Sequence, residues 1–358
     1  MMVLALCWHP GRTNIQTAGG FKRFYEVLKR APCPVTVLDK YPSIYSQIKN
    51  PRVTVIEYGR NKKTSWVTDR FISAYYLLIN SFSLKTRPEI IYVPFSELPH
   101  LSFVAVILKL AFHCRLVFCN LNINRIYTDR LANAVFHRFA NEIITLSKPL
   151  QNDLAKTGIF ASGLNGVGFT RPRFSFHGER KIYDAVFIGR HTPEKGFYDL
   201  IGIWKQLHLK ATRNYKLVTI GDLPDIYKAR IAAKIAQSNL QNAIFMKGNV
   251  TEREKYQLLS QSKICVFPSY HEGWGIVPQE ALSSGLPTLA YDLPVYKDSL
   301  PTTPMFRTVR IGDRRQFLRQ MKFLLSRYKS LTKTSSKWRP SLTWDTVAKR
   351  EWNLICRP

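Results

Sequence analysis

Two carboxylates and two cations in the second half of the chain have the types and spacing to handle an anionic, activated substrate. Glu272 and Glu280 stand with seven residues between them in Pro268-Ser-Tyr-His-Glu-Gly-Trp-Gly-Ile-Val-Pro-Gln-Glu-Ala-Leu-Ser-Ser-Gly-Leu-Pro287. Gly273 and Gly275 lie between them, so the backbone there can come close to a ligand and offer N–H groups. Upstream, Arg190 and Lys195 bracket a proline in Ala185-Val-Phe-Ile-Gly-Arg-His-Thr-Pro-Glu-Lys-Gly196. Arginine gives a fixed fork of donors and lysine a point charge, which together suit a departing diphosphate. Taken alone, these two read equally well as surface cations in a basic chain.

Both segments need the same support. Ile264-Cys-Val-Phe267 is an apolar run of strand length that feeds the loop. Pro278 and Gly285 mark a short helix behind it, Pro278 at its first position and Gly285 past its end. Glu280 then falls in the first helical turn, where the dipole favours a carboxylate and the helix start favours an anion. Residues 184–188 form a second strand, and Arg190 lies just past its C-terminal end, where open α/β sheets bind ligands.

The segment 268–287 resembles the E-x7-E motif of family 4 retaining glycosyltransferases, which have the GT-B fold. The Glu-Gly-aromatic-Gly start and the Glu-Ala-Leu-x-x-Gly-x-Pro ending carry the resemblance. Residues 189–196 are similar to the Gly-Arg-x-x-x-x-Lys-Gly motif of the same family. The fold implied is α/β: two Rossmann-like domains facing each other across a cleft. The resemblance further implies that Glu280 binds the ribose hydroxyls and that Glu272 lies near the donor sugar. Amides at Gly273, Trp274 and Gly275, with Ile276 and Val277 behind them, hold sugar and phosphate oxygens. Arg190 and Lys195 stabilise the leaving diphosphate. Gly19-Gly20 resembles the family's N-terminal glycine loop near the donor, though a plain turn before a helix reads as well. Asn249 and Val250 sit where the family places the base; a strand-end turn explains them equally.

A carboxylate pair also suits a glycosidase, with one acid and one nucleophile. A sugar nucleotide already carries a good leaving group, and front-face displacement with the phosphate as base fits the family better. The sequence contains no Asp-x-Asp pair. No cofactor and no divalent metal is therefore expected, with the two cations in the metal's place. In one respect the chain departs from the family: Phe118-Cys-Asn-Leu-Asn-Ile-Asn124 has no histidine where relatives carry one near the reacting centre, and Asn120 or Asn122 is left for that place.

Strands alternate with helices along the whole chain, which argues for parallel sheets covered on both faces. The alternation lapses over 158–181, where a linker is expected. With the linker there, the resemblance implies three parts: 1–165 as an acceptor-binding domain, 166–340 as a nucleotide-sugar-binding domain, and 341–358 as a last helix returning to the first. A basic, Ser/Thr-rich segment, 329–339, precedes that helix. The six cysteines show no C-x-x-C pair, which reads as reduced core thiols of a cytosolic protein.

The formal charge is +29, and both halves are basic, with 21 Lys/Arg against 9 Asp/Glu through Thr170. Such a field attracts anions. The uncharged run 71–84 is 14 residues, a length not exceeded in the first half and short of the ~20 that span a bilayer. Lys22, Arg23, Lys29 and Arg30 share a helix with Phe21, Phe24, Tyr25 and Leu28, and Arg60, Lys62, Lys63 and Trp66 lead into 71–84. Cations beside aromatics suit docking on anionic lipids, hence a peripheral enzyme at the inner, cytoplasmic membrane face acting on a lipid, lipid-linked or saccharide acceptor with a UDP- or GDP-linked donor. Generic solubility explains the charge as well. The alternatives are a sugar-nucleotide epimerase of the same fold and a basic nucleic-acid-binding protein. The latter leaves the paired glutamates unexplained, and nucleic acid is not an expected partner.

Overall fold

The computed structural model describes residues 1–9, 19–59, 65–121, 127–164, 166–169, 179–209, 213–334 and 340–357. Two compact units divide the chain: unit 1 is Met1–Phe169 with Leu342–Pro358, and unit 2 is Thr170–Ser341.

Unit 1 contains strands β1 (Val3–Leu6), β2 (Val35–Lys40), β3 (Val53–Tyr58), β4 (Ile90–Val93), β5 (Arg115–Asn120), β6 (Glu142–Thr145) and β7 (Ser162–Gly163). They are parallel, in the order β3-β2-β1-β4-β5-β6-β7. The central strands β1 and β4, Val-Leu-Ala-Leu and Ile-Ile-Tyr-Val, are buried at every position, as strands covered on both faces must be. The helices are α1 (Gly19–Leu28), α2 (Trp66–Phe82), α3 (Pro99–Phe112), α4 (Tyr127–His137) and α5 (Lys148–Ala155).

Unit 2 repeats the plan with β8 (Tyr183–Ile188), β9 (Leu217–Ile220), β10 (Ile244–Met246), β11 (Ser262–Phe267), β12 (Thr288–Tyr291) and β13 (Phe306–Val309). These too are parallel, in the order β10-β9-β8-β11-β12-β13. Its helices are α6 (Phe197–Leu209), α7 (Asp225–Gln237), α8 (Glu252–Ser260), α9 (Ile276–Ser283), α10 (Tyr296–Ser299) and α11 (Arg314–Thr334). A final helix, α12 (Trp344–Ile355), belongs to unit 1. Both units are Rossmann-like α/β, the fold class expected from the sequence.

Several local expectations change. The segment 329–339 is not simply a spacer, because α11 runs on to Thr334 with Phe317, Met321 and Leu324 buried along its inner stripe. Of the stretch 158–181, residues 165 and 170–178 lie outside the described residues, and β7 falls within it. Most of the loop before Gly19 is likewise outside them, as are Arg60, Lys62, Lys63 and Asn122. Gly19 and Gly20 are not loop residues but the first two of α1. A Cβ on Gly20 would stand 3.0 Å from Leu121 Cδ1, so its smallness serves packing of α1 on the end of β5.

Of the four cations expected on helix α1, Arg23 faces the core while Lys29 stays exposed. Arg23 is fully buried and pairs with Glu351 of α12, whose other oxygen accepts from the Tyr92 hydroxyl. Arg30 pairs with Glu26 and Asp345, and Phe24 and Leu28 are buried. Trp352 Nε1 donates to Val27 O at 2.9 Å, closing α12 onto α1. Among the described residues no helix is long and apolar enough to cross a membrane.

Candidate functional site

The site is set by where two strands part. β8 and β11 are neighbours at the centre of the unit 2 sheet, with Ala185 opposite Ile264 and Val186 opposite Cys265. The chain leaves β8 toward β9 on one side, and β11 continues to β12 on the other. The loops after β8 and β11 therefore diverge from a topological switch point, the place where open α/β sheets take ligands. Those loops are 189–196 and 268–275, which carry the two motifs.

Backbone contacts lock the loops together. Tyr270 N donates to Glu194 O at 2.9 Å. Gly196, at φ +69°, ends the short 3-10 turn Pro193–Lys195, and a Cβ there would fall 1.8 Å from Pro268 O. Only glycine allows both the backbone angle and that approach. Behind the first loop, His191 is buried, with Nε2 2.8 Å from Thr219 Oγ1 and Nδ1 3.0 Å from Asp222 O. Burial pushes its pKa down, which keeps the ring neutral.

Lys195 and Glu272 meet across this junction. Lys195 Nζ is 2.6 Å from Glu272 Oε1, and the same oxygen accepts from Ser269 Oγ at 2.7 Å. Lys195 Nζ also lies 3.4 Å from His271 O. The carboxylate is thus fixed by a cation from one loop and a hydroxyl from its own. Arg190 is not in that contact. It is 60% exposed and stands 3.4 Å from Glu194, a surface pair worth little and easily exchanged for another anion.

The helix start differs from expectation. Gly275, at φ +79°, is the N-cap of α9, and no side chain caps the helix. Pro278 is therefore the third helical residue, not the first, and Glu280 lies in the second turn. The left-handed glycine starts the helix two residues early. A Cβ on Gly275 would press to 2.8 Å from the Tyr296 ring, so the tight start is enforced by packing as well. The amides of Ile276 and Val277 open α9 without intrahelical acceptors, and Pro278 adds none. Trp274 is buried, and Val277 packs on the core cluster that Val250 also contacts.

Glu280 is held by a residue that motif reading missed. Lys255 Nζ of α8 donates to Glu280 Oε1 at 2.6 Å, and both side chains are at least nine-tenths buried. This cation, rather than the first-turn dipole, is the charge beside Glu280. α8 opens with a capping box, Thr251 with Glu254, directly after Asn249 and Val250. The box fixes the helix phase that aims Lys255 inward, and Thr251-x-x-Glu254 is the signal that could have found it.

A second missed group steadies the 268–275 loop. The hydroxyls of Tyr270 and Tyr291 donate to Asp199 Oδ2 at 2.6 and 2.7 Å, and Arg314 Nε lies 3.0 Å from Asp199 Oδ1. In unit 1, His9 and His100 are inward residues. His9 Nε2 is 3.1 Å from Lys40 O, and burial pushes His100 down to about 3. Asn120 is buried at the end of β5.

Comparison with known proteins bears on the segment that carries both loops. Residues 172–302, which contain both loops, match the model of the family "Glycosyl transferases group 1". The O-antigen chain mannosyltransferase RfbU of Salmonella typhimurium is 23% identical over 193 residues, 50% of this chain and 52% of that protein. The GDP-mannose:cellobiosyl-diphosphopolyprenol alpha-mannosyltransferase of Xanthomonas oryzae is 26% identical over 148 residues, 41% of this chain and 36% of that protein. The chain thus spans about half of one relative's length and about a third of the other's. Among solved structures, Anabaena HepE in complex with UDP and glucose superposes with a TM-score of 0.72 over 99% of both chains at 14% identity, a likeness of fold. The Salmonella and Xanthomonas relatives are both named as transferases, and neither as an epimerase. Together, the family match over 172–302 and the mannosyltransferase relatives support a glycosyltransferase family for this chain.

Proposed function

We propose that the chain is a retaining, family 4 glycosyltransferase. It would move a hexose from a UDP- or GDP-linked donor to a lipid, lipid-linked or saccharide acceptor, as a peripheral protein at the inner membrane face. The observation that carries this reading is the junction of β8 and β11, where Lys195 bonds Glu272 at 2.6 Å beside the uncapped start of α9. That junction offers cations, backbone amides and a fixed carboxylate within one small region.

The roles we infer combine the resemblance with this arrangement. The donor diphosphate lies against the amides of Gly273 to Val277 and draws in Lys195 and the exposed Arg190. Lys195 then shares its charge between the phosphate and Glu272, and Glu272 faces the sugar. Glu280, kept in place by Lys255, accepts from the ribose hydroxyls, and Asn249 and Val250 border the base. The bond from the anomeric carbon to the phosphate oxygen breaks as the acceptor oxygen bonds on the same face. The acceptor's proton passes to the departing phosphate, so configuration is retained. Two protein cations take the charge, and no divalent metal is required. HepE's complex with UDP and glucose and the Xanthomonas relative's name support a sugar-nucleotide donor.

The test is a screen of UDP- and GDP-sugar turnover with wild type and Glu272→Ala. Expected is turnover of at least one donor that the variant loses while keeping its melting temperature. A folded variant with undiminished turnover removes Glu272 from the mechanism.

A further inference from the structure

α2 is built inside out. Its inward positions are Ser73, Leu77 and Ser81, all buried, and Ser81 Oγ is satisfied by Leu77 O at 2.7 Å. Its outward positions include Phe71 (74% exposed), Tyr75 (61%) and Phe82 (56%), with Ile79 between them. A surface helix ordinarily does the reverse. The apolar surface continues onto its neighbours. Phe82 meets Phe112 of α3 at 5.2 Å, and the half-exposed Phe103 of α3 meets Phe136 of α4 at 5.9 Å. Leu131 and Val135 extend it along α4 and Phe139 just past its end, all more than two-fifths exposed. Contiguous apolar surface on this scale marks a docking site rather than scattered exposure.

Charge selects the occupant. Lys85 and Arg87 follow α2, Arg130 precedes Leu131 on α4, and Arg138 precedes Phe139 just past its end; all four are exposed. The carboxylates of the same helices are engaged, Asp69 with Lys40 and Asp129 with Arg70. Glu89, exposed nearby, is paired with the N-terminal amine. The charge this face presents is therefore positive. A second copy of a chain carrying +29 would set cations against cations. We propose that the α2–α3–α4 face of unit 1 seats on a lipid bilayer with anionic headgroups, its aromatic rings in the interface and its cations at headgroup level. This places membrane contact on a different surface from α1, whose Arg23 is buried and whose neighbour Arg30 is paired with Glu26 and Asp345. It deepens the lipid-acceptor part of the proposed function, but its test needs no sugar nucleotide, so either can fail alone.

The test is sedimentation of the full chain with vesicles of phosphatidylcholine, alone and with phosphatidylserine added. Two variants accompany it: Phe71→Ser/Tyr75→Ser/Phe82→Ser and Lys85→Gln/Arg87→Gln/Arg138→Gln. All six side chains are exposed, and circular dichroism checks that both variants fold. Expected is binding that strengthens with phosphatidylserine, falls roughly fivefold per cation removed, and is lost in the aromatic variant. Equal wild-type binding to both vesicle types overturns the proposal, as does an aromatic variant that binds like wild type. Wild-type dimerisation abolished by the aromatic variant, without vesicle binding, assigns the face to a second copy instead.

Discussion

Replacing Gly196 with alanine should damage fold and activity together. The added Cβ would sit 1.8 Å from Pro268 O, whereas real Cβ contacts essentially never fall below 3.0 Å. The loops after β8 and β11 must therefore separate by 1.2 Å or more at that point. The backbone at φ +69° adds strain of about 1–2 kcal/mol for any residue with a Cβ. Overpacking adds about 1–3 kcal/mol, giving a loss of about 2–5 kcal/mol in all. For a unit of this size that lowers the melting temperature by roughly 5–20 °C. Lys195 precedes the substituted residue and bridges the same two loops to Glu272 at 2.6 Å. A displacement of this size at a reacting centre commonly removes about 100-fold in rate. Differential scanning calorimetry and donor turnover, measured well below the variant's own transition, read the two effects. A Gly196→Ala protein that melts with wild type and turns over at its rate would refute the idea that this contact sets the distance between the loops.

Further outcomes follow from the buried charges and the proposed chemistry. Glu280→Gln should destabilise unit 2 by about 3–5 kcal/mol in urea denaturation by stranding Lys255. The Lys255→Met/Glu280→Leu double variant should regain most of that stability while binding nucleotide more weakly than wild type. His100 stays neutral in the folded protein because burial pushes it down to about 3. As pH falls below about 6.5, the unfolded chain takes up a proton that the folded chain refuses, so stability is lost on acidification. His100→Phe, which keeps a ring against Trp8, should reduce that loss by about 1.4 kcal/mol per pH unit between pH 6 and 4. Thermal melts across that range check it, and unchanged slopes count against it. Turnover in EDTA should equal turnover in magnesium; strict magnesium dependence would refute charge compensation by Arg190 and Lys195.

What could be seen in the sequence was local. The apolar runs that became β1, β4, β8 and β11 announce themselves because strands buried on both faces carry little else. Lys195 and Glu272 stood out because each sits in a short segment with its own glycines. Features that depend on distant partners were hidden. Arg23 looked like a surface cation because Glu351 lies 328 residues away. Lys255 drew no notice because its partner, Glu280, is on another helix. The edge strand β13, Phe-Arg-Thr-Val, alternates too weakly to be picked out. The start of α9 was set two residues late because a proline suggested a first position, while a left-handed glycine had already begun the helix.

The return of α12 to unit 1 has a consequence for biosynthesis. The lobe made first cannot be finished until the chain's last described helix leaves the ribosome, with all of Thr170–Ser341 translated in between. At typical elongation rates that interval is on the order of 10–35 s. Throughout it, the guanidinium of Arg23 has no carboxylate to close over it and the groove along Val27 lacks its tryptophan. The nascent first lobe therefore waits open while the second lobe completes its own sheet, which is when a holding chaperone would have most to cover.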